Sequence, residues 1–291
     1  MNVWILASRP KTLPAAVAPV LIGSAIAYAG QIPFHALSFA CALIGAILIQ
    51  IGTNFANDYF DFVKGTDTAE RIGPVRATQA GLIAPNTMRN AFIVAFALAL
   101  IPGAYIIARG GWPFVLIGVV SIICGILYTG GPYPLGYLGL GDLFVLIFFG
   151  PVAVCGTYYL QALNLSWNVM IAGFAPGLLS VALLTVNNLR DIEQDRVGRK
   201  RTLAVRFGRG FARAEYVVSI AVACVVIPLY FALTLKDPWF VLVPLVSAVL
   251  AIAPLRVVLT SRDGPALNGA LASTGKLLLA FSLVFSVSWL L

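Results

Sequence analysis

Nine stretches of the chain, 12–29, 36–57, 90–108, 112–128, 138–160, 167–188, 215–234, 238–257 and 272–291, are apolar with few polar interruptions. Crossing the hydrocarbon of a bilayer takes about 20 mainly apolar residues in a helix. Backbone polar groups cannot stay unpaired there, so runs of this length predict transmembrane helices. The pattern therefore predicts an all-α, polytopic membrane protein. About nine transmembrane helices are expected, and residues 1–291 form a single integral-membrane domain. The first run carries Pro14 and Pro19 and follows the basic Arg9-Pro10-Lys11 without a small-residue cleavage site, which predicts a retained helix rather than a cleaved signal.

Composition agrees with this pattern. Hydrophobic residues make up 60% of the chain and charged residues only 10%, against about 25% charged in soluble domains. The net charge of +8 would suit a nucleic-acid partner, but its placement argues otherwise. With the N-terminus in the cytoplasm, 17 of the 19 Lys and Arg fall on the cytoplasmic side, and only Arg109 and Lys236 fall outside. That is the positive-inside bias. It predicts a protein of the cytoplasmic (inner) membrane with the N-terminus inside and the C-terminus outside, and no nucleic-acid partner. Cys41, Cys124, Cys155 and Cys224 are scattered through apolar runs, so neither disulfides nor a zinc site is expected. The single histidine, His35, excludes a histidine metal cluster and a His-based triad.

Polar chemistry concentrates in two long segments on the predicted cytoplasmic side, 58–89 and 189–214. They hold 12 of the 19 basic residues and seven of the 11 acids, and are read as loops capping the active site. The helices leading into them end alike, with Asn54-x-x-Asn57-Asp58-x-x-Asp61 in one and Asn187-Asn188-x-Arg190-Asp191-x-Glu193-x-Asp195 in the other. The shared Asn-x-x-x-Asp hints at a parallel internal repeat. On a helix, residues three and four apart share a face, so Asn54, Asn57, Asp58 and Asp61 form one polar stripe, and Asn187, Asp191 and Asp195 a second.

A carboxylate cluster can be an ordinary solvated helix end. Two of them, each with asparagines and on one side of the membrane, point instead to a cation between them. Carboxylate and amide oxygens suit a hard cation. Magnesium takes one or two carboxylates and completes its shell with water and substrate phosphate. The expected metal set is thus Asp58, Asp61, Asp191 and Asp195 with Asn57 and Asn187, holding Mg2+ and, through it, a diphosphate. Asn54, Lys64, Arg71, Arg76 and Lys200 are candidates for the diphosphate itself, since Arg clamps phosphate oxygens in pairs and Lys supplies a point charge. Most of Arg196, Arg206, Arg209 and Arg213 are expected to set topology or face lipid, and Arg190, inside the second stripe, to serve structure.

At these residues the chain resembles the UbiA superfamily of membrane prenyltransferases, over its whole length. The family pattern Asn-Asp-x-x-Asp matches Asn57, Asp58 and Asp61, and Asp-x-x-x-Asp matches Asp191 and Asp195. The family's common third Asp is replaced by Gly65, with Asp67 two positions later. Arg9–Pro14, Asn57–Asp67, Gly73–Arg76, Gly139–Asp142, Asn187–Asp191 and Thr202–Val205 are similar to the branch that prenylates 1,4-dihydroxy-2-naphthoate in menaquinone synthesis. The 4-hydroxybenzoate branch carries Lys or Arg after a Tyr-Pro in the loop following the fourth helix. Here that loop reads Tyr133-Pro-Leu-Gly-Tyr-Leu-Gly-Leu-Gly141, with no basic residue.

The resemblance implies that the helices surround a central cavity, and it implies a magnesium-dependent enzyme with a polyprenyl diphosphate and an aromatic acid as partners. Asp58, Asp61, Asp191, Asp195 and Lys64 would act on the diphosphate. The naphthoate ring would attack at its carboxylated carbon and lose carbon dioxide to give demethylmenaquinone. Arg9, Lys11, Tyr128 and Asp142 are candidates for the acceptor, with Tyr133 a further one, although Arg9 and Lys11 suit a topology anchor equally. Two other readings stay open: another aromatic acceptor such as 4-hydroxybenzoate, or a membrane transporter. Transporters usually keep their sites near the midplane, whereas these acids gather at one end of the helices. The residues set neither tail length nor oligomeric state.

Overall fold

All nine apolar runs form helix in a computed structural model, which describes residues 2–66, 73 and 75–291. Asp67, Glu70, Arg71 and Pro74 lie outside the described residues. The short α1 (Val3–Ser8) leads through a 3-10 turn, Pro10–Thr12, into α2 (Pro14–Ala29). There follow α3 (Ala36–Val63), α4 (Pro85–Gly110), α5 (Pro113–Leu127), α6 (Gly141–Ile147), α7 (Ala153–Ala162) and α8 (Trp167–Val197). The last four are α9 (Leu203–Ala221), α10 (Ile227–Thr234), α11 (Leu242–Thr260) and α12 (Gly264–Leu290). A π turn over Phe148–Val152 joins α6 to α7, and another over Val222–Val226 joins α9 to α10.

Among the described residues seven helical rods are long and apolar enough to cross a membrane. The pair Val3–Thr12 and Pro14–Ala29, bent by 52°, makes an eighth if taken as one span, and Pro113–Leu127 is a shorter apolar helix. The chain is an integral membrane protein. Its helix starts are written locally. Proline opens the first turn of α2, α4, α5 and α12, where its missing N–H costs nothing. Ser166, Thr202 and Asp263 cap α8, α9 and α12 by accepting from Val169, Val205 and Ala266 N–H.

The two polar segments differ from the loops expected of them. α3 continues to Val63 and α8 to Val197, so all four motif aspartates stand on helices, and α9 already begins at Leu203. Apolar sequence stops where the helix leaves lipid, but the helix itself continues. Its polar face turns inward, burying Asn54, Asp58, Asp61, Asn188, Arg190 and Asp191 among partners. The basic residues beyond α8 also hold backbone carbonyls. Arg206 donates to the Leu138 and Arg201 carbonyls, Arg209 to Leu189 O, and Arg213 to Val258 O and Ser261 O. The Arg213 contacts satisfy orphan carbonyls at the end of α11. Arg196 pairs with Glu193 in a well-exposed contact, and Arg209 reaches the same carboxylate at 3.5 Å.

α8 is the central element. Its apolar window is 72% buried, against 22–56% for the other long spans, and α2, α6, α7, α9 and α12 all pack on it. The π turn crosses it at backbone contact. A Cβ on Gly177 would lie 2.6 Å from Leu146 O, so only glycine lets the two chains meet there. The second motif is thereby carried on the most constrained helix of the fold.

Candidate active site

The polar C-terminal ends of α3 and α8 face each other across a cavity of about 490 Å³. Asn54, Asn57, Asp58 and Asp61 line it from α3, and Asn187, Asp191 and Asp195 from α8. Arg76, Lys200, Arg9, Lys11 and Tyr128 complete the set of expected residues around it. Lys64 is not on the wall; it sits at the rim, donating to the Thr129 and Gly131 carbonyls at 2.6 and 3.0 Å. Asp142 is buried beside the cavity rather than in its wall, with one carboxylate oxygen lacking a hydrogen-bond partner among the described residues. Tyr133 is 76% exposed and away from the wall. Arg71 falls among the residues not described.

Each aspartate has its own neighbours. The Asp58 carboxylate accepts the N–H groups of Ala77 and Thr78, one at each oxygen, at 3.0 and 3.1 Å. It therefore anchors the segment that carries Arg76. Asp61 is the meeting point of the site. Arg76 donates to Oδ2 at 2.9 Å, while Lys200 (2.8 Å), Tyr137 (3.0 Å) and Thr66 (3.2 Å) converge on Oδ1. Lys200 follows α8, so its contact ties the second motif to the first. Asp191 receives a two-pronged contact from Arg190, at 2.7 and 2.6 Å. The same guanidinium reaches Asn187 on α8 and Asn268 on α12. Arg190 thus has the structural role expected of it, spanning two helices.

These residues fit a metal bound together with substrate. Among the described residues, no three carboxylates or other ligand groups converge closely enough to hold an ion by themselves. The donors are oxygen-only, divided between two facing helices, with cations interleaved. That matches the habit of magnesium, which takes few protein ligands and uses phosphate oxygens and water for the rest.

Sequence reasoning passed over Tyr137. Its hydroxyl reaches Asp61, and the Lys64 and Lys200 ammoniums stand 4.8 and 4.9 Å from its ring centroid. No local signal marks it, since tyrosine near a membrane boundary is common. Burial lowers the Lys64 pKa from its ordinary value; Asp61 partly opposes this, and Lys200 lowers it further.

A second cavity, about 560 Å³ and almost wholly apolar, runs from the first between α3, α4, α5 and the bent α6–α7 rod. Gln50, Thr53, Tyr128, Val145 and Phe149 line both, forming a throat between polar and apolar compartments.

A polar chamber lined by two aspartate motifs and opening into an apolar one, within a helical membrane bundle, suits an enzyme that handles a lipid with a charged head. The comparisons agree: residues 16–277 match the model of the UbiA prenyltransferase family, and the chain belongs to that family. The 1,4-dihydroxy-2-naphthoate octaprenyltransferase of Escherichia coli is 40% identical over 288 residues, covering 97% of this chain and 93% of that protein. The protein of the same name from Mycobacterium tuberculosis is 40% identical over 283 residues, covering 96% and 94%. Among solved structures, a UbiA homolog from Archaeoglobus fulgidus bound to GPP and Mg2+ superposes with a TM-score of 0.68, at 15% identity and full coverage of both chains.

Proposed function

We propose that this protein transfers a polyprenyl chain from its diphosphate to 1,4-dihydroxy-2-naphthoate, with loss of carbon dioxide, giving demethylmenaquinone. The observation that carries the chemistry is the pair of aspartate motifs on facing helices around one cavity, joined through Lys200 and Asp61. The acceptor is supported by relatives of that name that match nearly the whole chain.

Asp58, Asp61, Asp191 and Asp195, with Asn57 and Asn187, would hold magnesium, which when bound neutralises the charge growing on the diphosphate. Arg76, Lys200 and Asn54 line the same chamber and face the phosphate oxygens; Lys64 stands at its rim. As the C–O bond breaks, its electron pair leaves with the diphosphate. Groups already aimed at those oxygens act most strongly at that moment. The prenyl tail lies in the apolar cavity, which puts its first carbon at the throat, beside Tyr128 and Phe149. The acceptor ring attacks that carbon through its carboxylated position. The bond to the carboxyl group then breaks, and its electrons restore the aromatic ring. Arg9 and Lys11, on the cavity wall, are the cations placed for the acceptor carboxylate.

Carboxyl-labelled dihydroxynaphthoate tests the acceptor. Incubated with magnesium and a prenyl diphosphate, the purified protein should release one labelled carbon dioxide per prenylated product. Label retained in the product would overturn this acceptor chemistry. The same assay with 4-hydroxybenzoate should give little product. Run in proteoliposomes without prenyl diphosphate, it should show no uptake of either aromatic acid.

Orientation follows from charge. Arg109, which donates to the Leu160 and Gln161 carbonyls, lies at the membrane end opposite the aspartate motifs. The reading is an inner-membrane protein with its active site and N-terminus in the cytoplasm. A phosphatase reporter fused after Leu291 should be active, as it is only outside the cytoplasm; an inactive one with an intact, inserted chain would reverse the orientation.

A further inference from the structure

The segment joining α5 to α6, residues 128–140, contains no Lys or Arg. Yet it crosses the mouth of a chamber that must receive a strongly anionic group, and two lysines from elsewhere gather on it. Lys64, just past α3, and Lys200, just past α8, each place an ammonium within 5 Å of the Tyr137 ring centroid, at 4.8 and 4.9 Å. Like charges repel, so two ammoniums at one place need a common attractor. Asp61 holds Lys200 at 2.8 Å. Lys64 is held by the Thr129 and Gly131 carbonyls of the same segment. Asp61 also attracts Lys64 through space, so the features common to both are that carboxylate and the aromatic face. Tyr137 is itself fixed from both motifs, its hydroxyl donating to Asp61 at 3.0 Å and its carbonyl accepting from Arg201 N–H at 2.9 Å.

We propose that Tyr137 is a positioning residue that gathers Lys64 and Lys200 at the diphosphate seat, supplying through its ring the cationic character its own segment lacks. The quadrupole of the ring attracts each ammonium without neutralising it. A carboxylate in the same place would hold the lysines more tightly but would compete with the phosphate for them. An aromatic face leaves their full charge for the incoming anion, and holding them in place beforehand lowers the ordering cost of binding. The inference rests on the reading of this chamber as a prenyl diphosphate site.

Binding of inorganic pyrophosphate with magnesium to the purified full-length protein, followed by thermal stabilisation, tests it without turnover and without a prenyl tail. Tyr137→Phe and Tyr137→Trp keep a ring and lose the hydroxyl; Tyr137→Leu and Tyr137→Met lose both. The Phe and Trp variants should bind within about threefold of the parent, and the Leu and Met variants at least about tenfold more weakly. In turnover, the Leu variant should raise KM for the prenyl diphosphate at least about tenfold and leave KM for the aromatic acid near the parent value. Placed in a Lys64→Met/Lys200→Met background, Tyr137→Leu should weaken pyrophosphate binding no further, because the residues act as one unit. Two results would overturn the inference: a Phe variant as weak as Leu, which would assign the effect to the hydroxyl, or a Leu variant that binds like the parent. If the ring-less variants fail to accumulate, Phe against Trp decides. A cation-binding role has Trp no weaker than Phe, and the reverse order overturns it. A parent protein that neither binds pyrophosphate nor uses prenyl diphosphate would remove the functional reading itself.

Discussion

Asp61→Asn lowers the rate of prenyl transfer by roughly two to three decades, the scale on which a preorganised electrostatic group is lost. The change keeps the size of the side chain and removes its charge. Four donors now converge on that carboxylate, from Arg76, Lys200, Tyr137 and Thr66. A neutral amide accepts at one end only and holds no cation tightly, so both the bridge between the motifs and the affinity for magnesium fall together. The rate should fall further as magnesium is lowered and recover in part when it is raised. Chelator should abolish the parent activity until magnesium is returned. Steady-state turnover across a magnesium series reads both effects. Parent-like turnover in Asp61→Asn at every magnesium concentration would sink the proposed site. Asp58→Asn should also be damaging but by a second route, because Asp58 holds the Ala77 and Thr78 N–H groups and so the placement of Arg76.

Arg190→Met unfolds the protein more readily than any change at the exposed basic residues. The Arg190 side chain is fully buried and its partner Asp191 nearly so, at 0% and 7% exposure. Deleting the cation takes the two-pronged partner from a buried carboxylate, a loss of about 3–5 kcal/mol when one partner of a buried pair is removed. It also releases Asn187 on α8 and Asn268 on α12. Thermal unfolding in detergent, read by loss of helical signal or by aggregation, should show the drop. The double variant Arg190→Met/Asp191→Asn should be more stable than Arg190→Met alone, because no charge is left stranded. Equal stability of the two would mean that Asp191 is already compensated by other groups. By contrast Arg196→Ala, at an exposed pair with Glu193, should leave stability almost unchanged.

The helices and the two aspartate motifs could be read directly because both are short-range patterns. Apolar runs report on lipid, and acids three and four apart report on one helical face. What escaped the reading depends on pairs distant in sequence. Nothing near Asp58 announces that it will cap Ala77 and Thr78, and nothing near Arg213 announces the carbonyls of α11. Tyr137 acquires its meaning only when Lys64 and Lys200 arrive from either side. The ends of α3 and α8 were placed too early for a related reason. Hydropathy marks where lipid ends, whereas a helix ends where its hydrogen bonds do, and here polar partners inside the fold carry both helices onward.

The contact between Arg190 and Asn268 has a consequence for the order of synthesis. α12 packs along α2 and α8, and it brings Asn268 to a guanidinium whose own helix is made much earlier. At roughly 5–20 residues per second, the ribosome needs seconds to produce the 27 residues of α12. Until α12 docks, both aspartate motifs have been made while the arginine behind one of them lacks its contact with Asn268. The nascent chain therefore carries its chemical groups before it carries their support. A chain halted between α11 and α12 would keep both motifs and lack the contact that closes α12 onto α8.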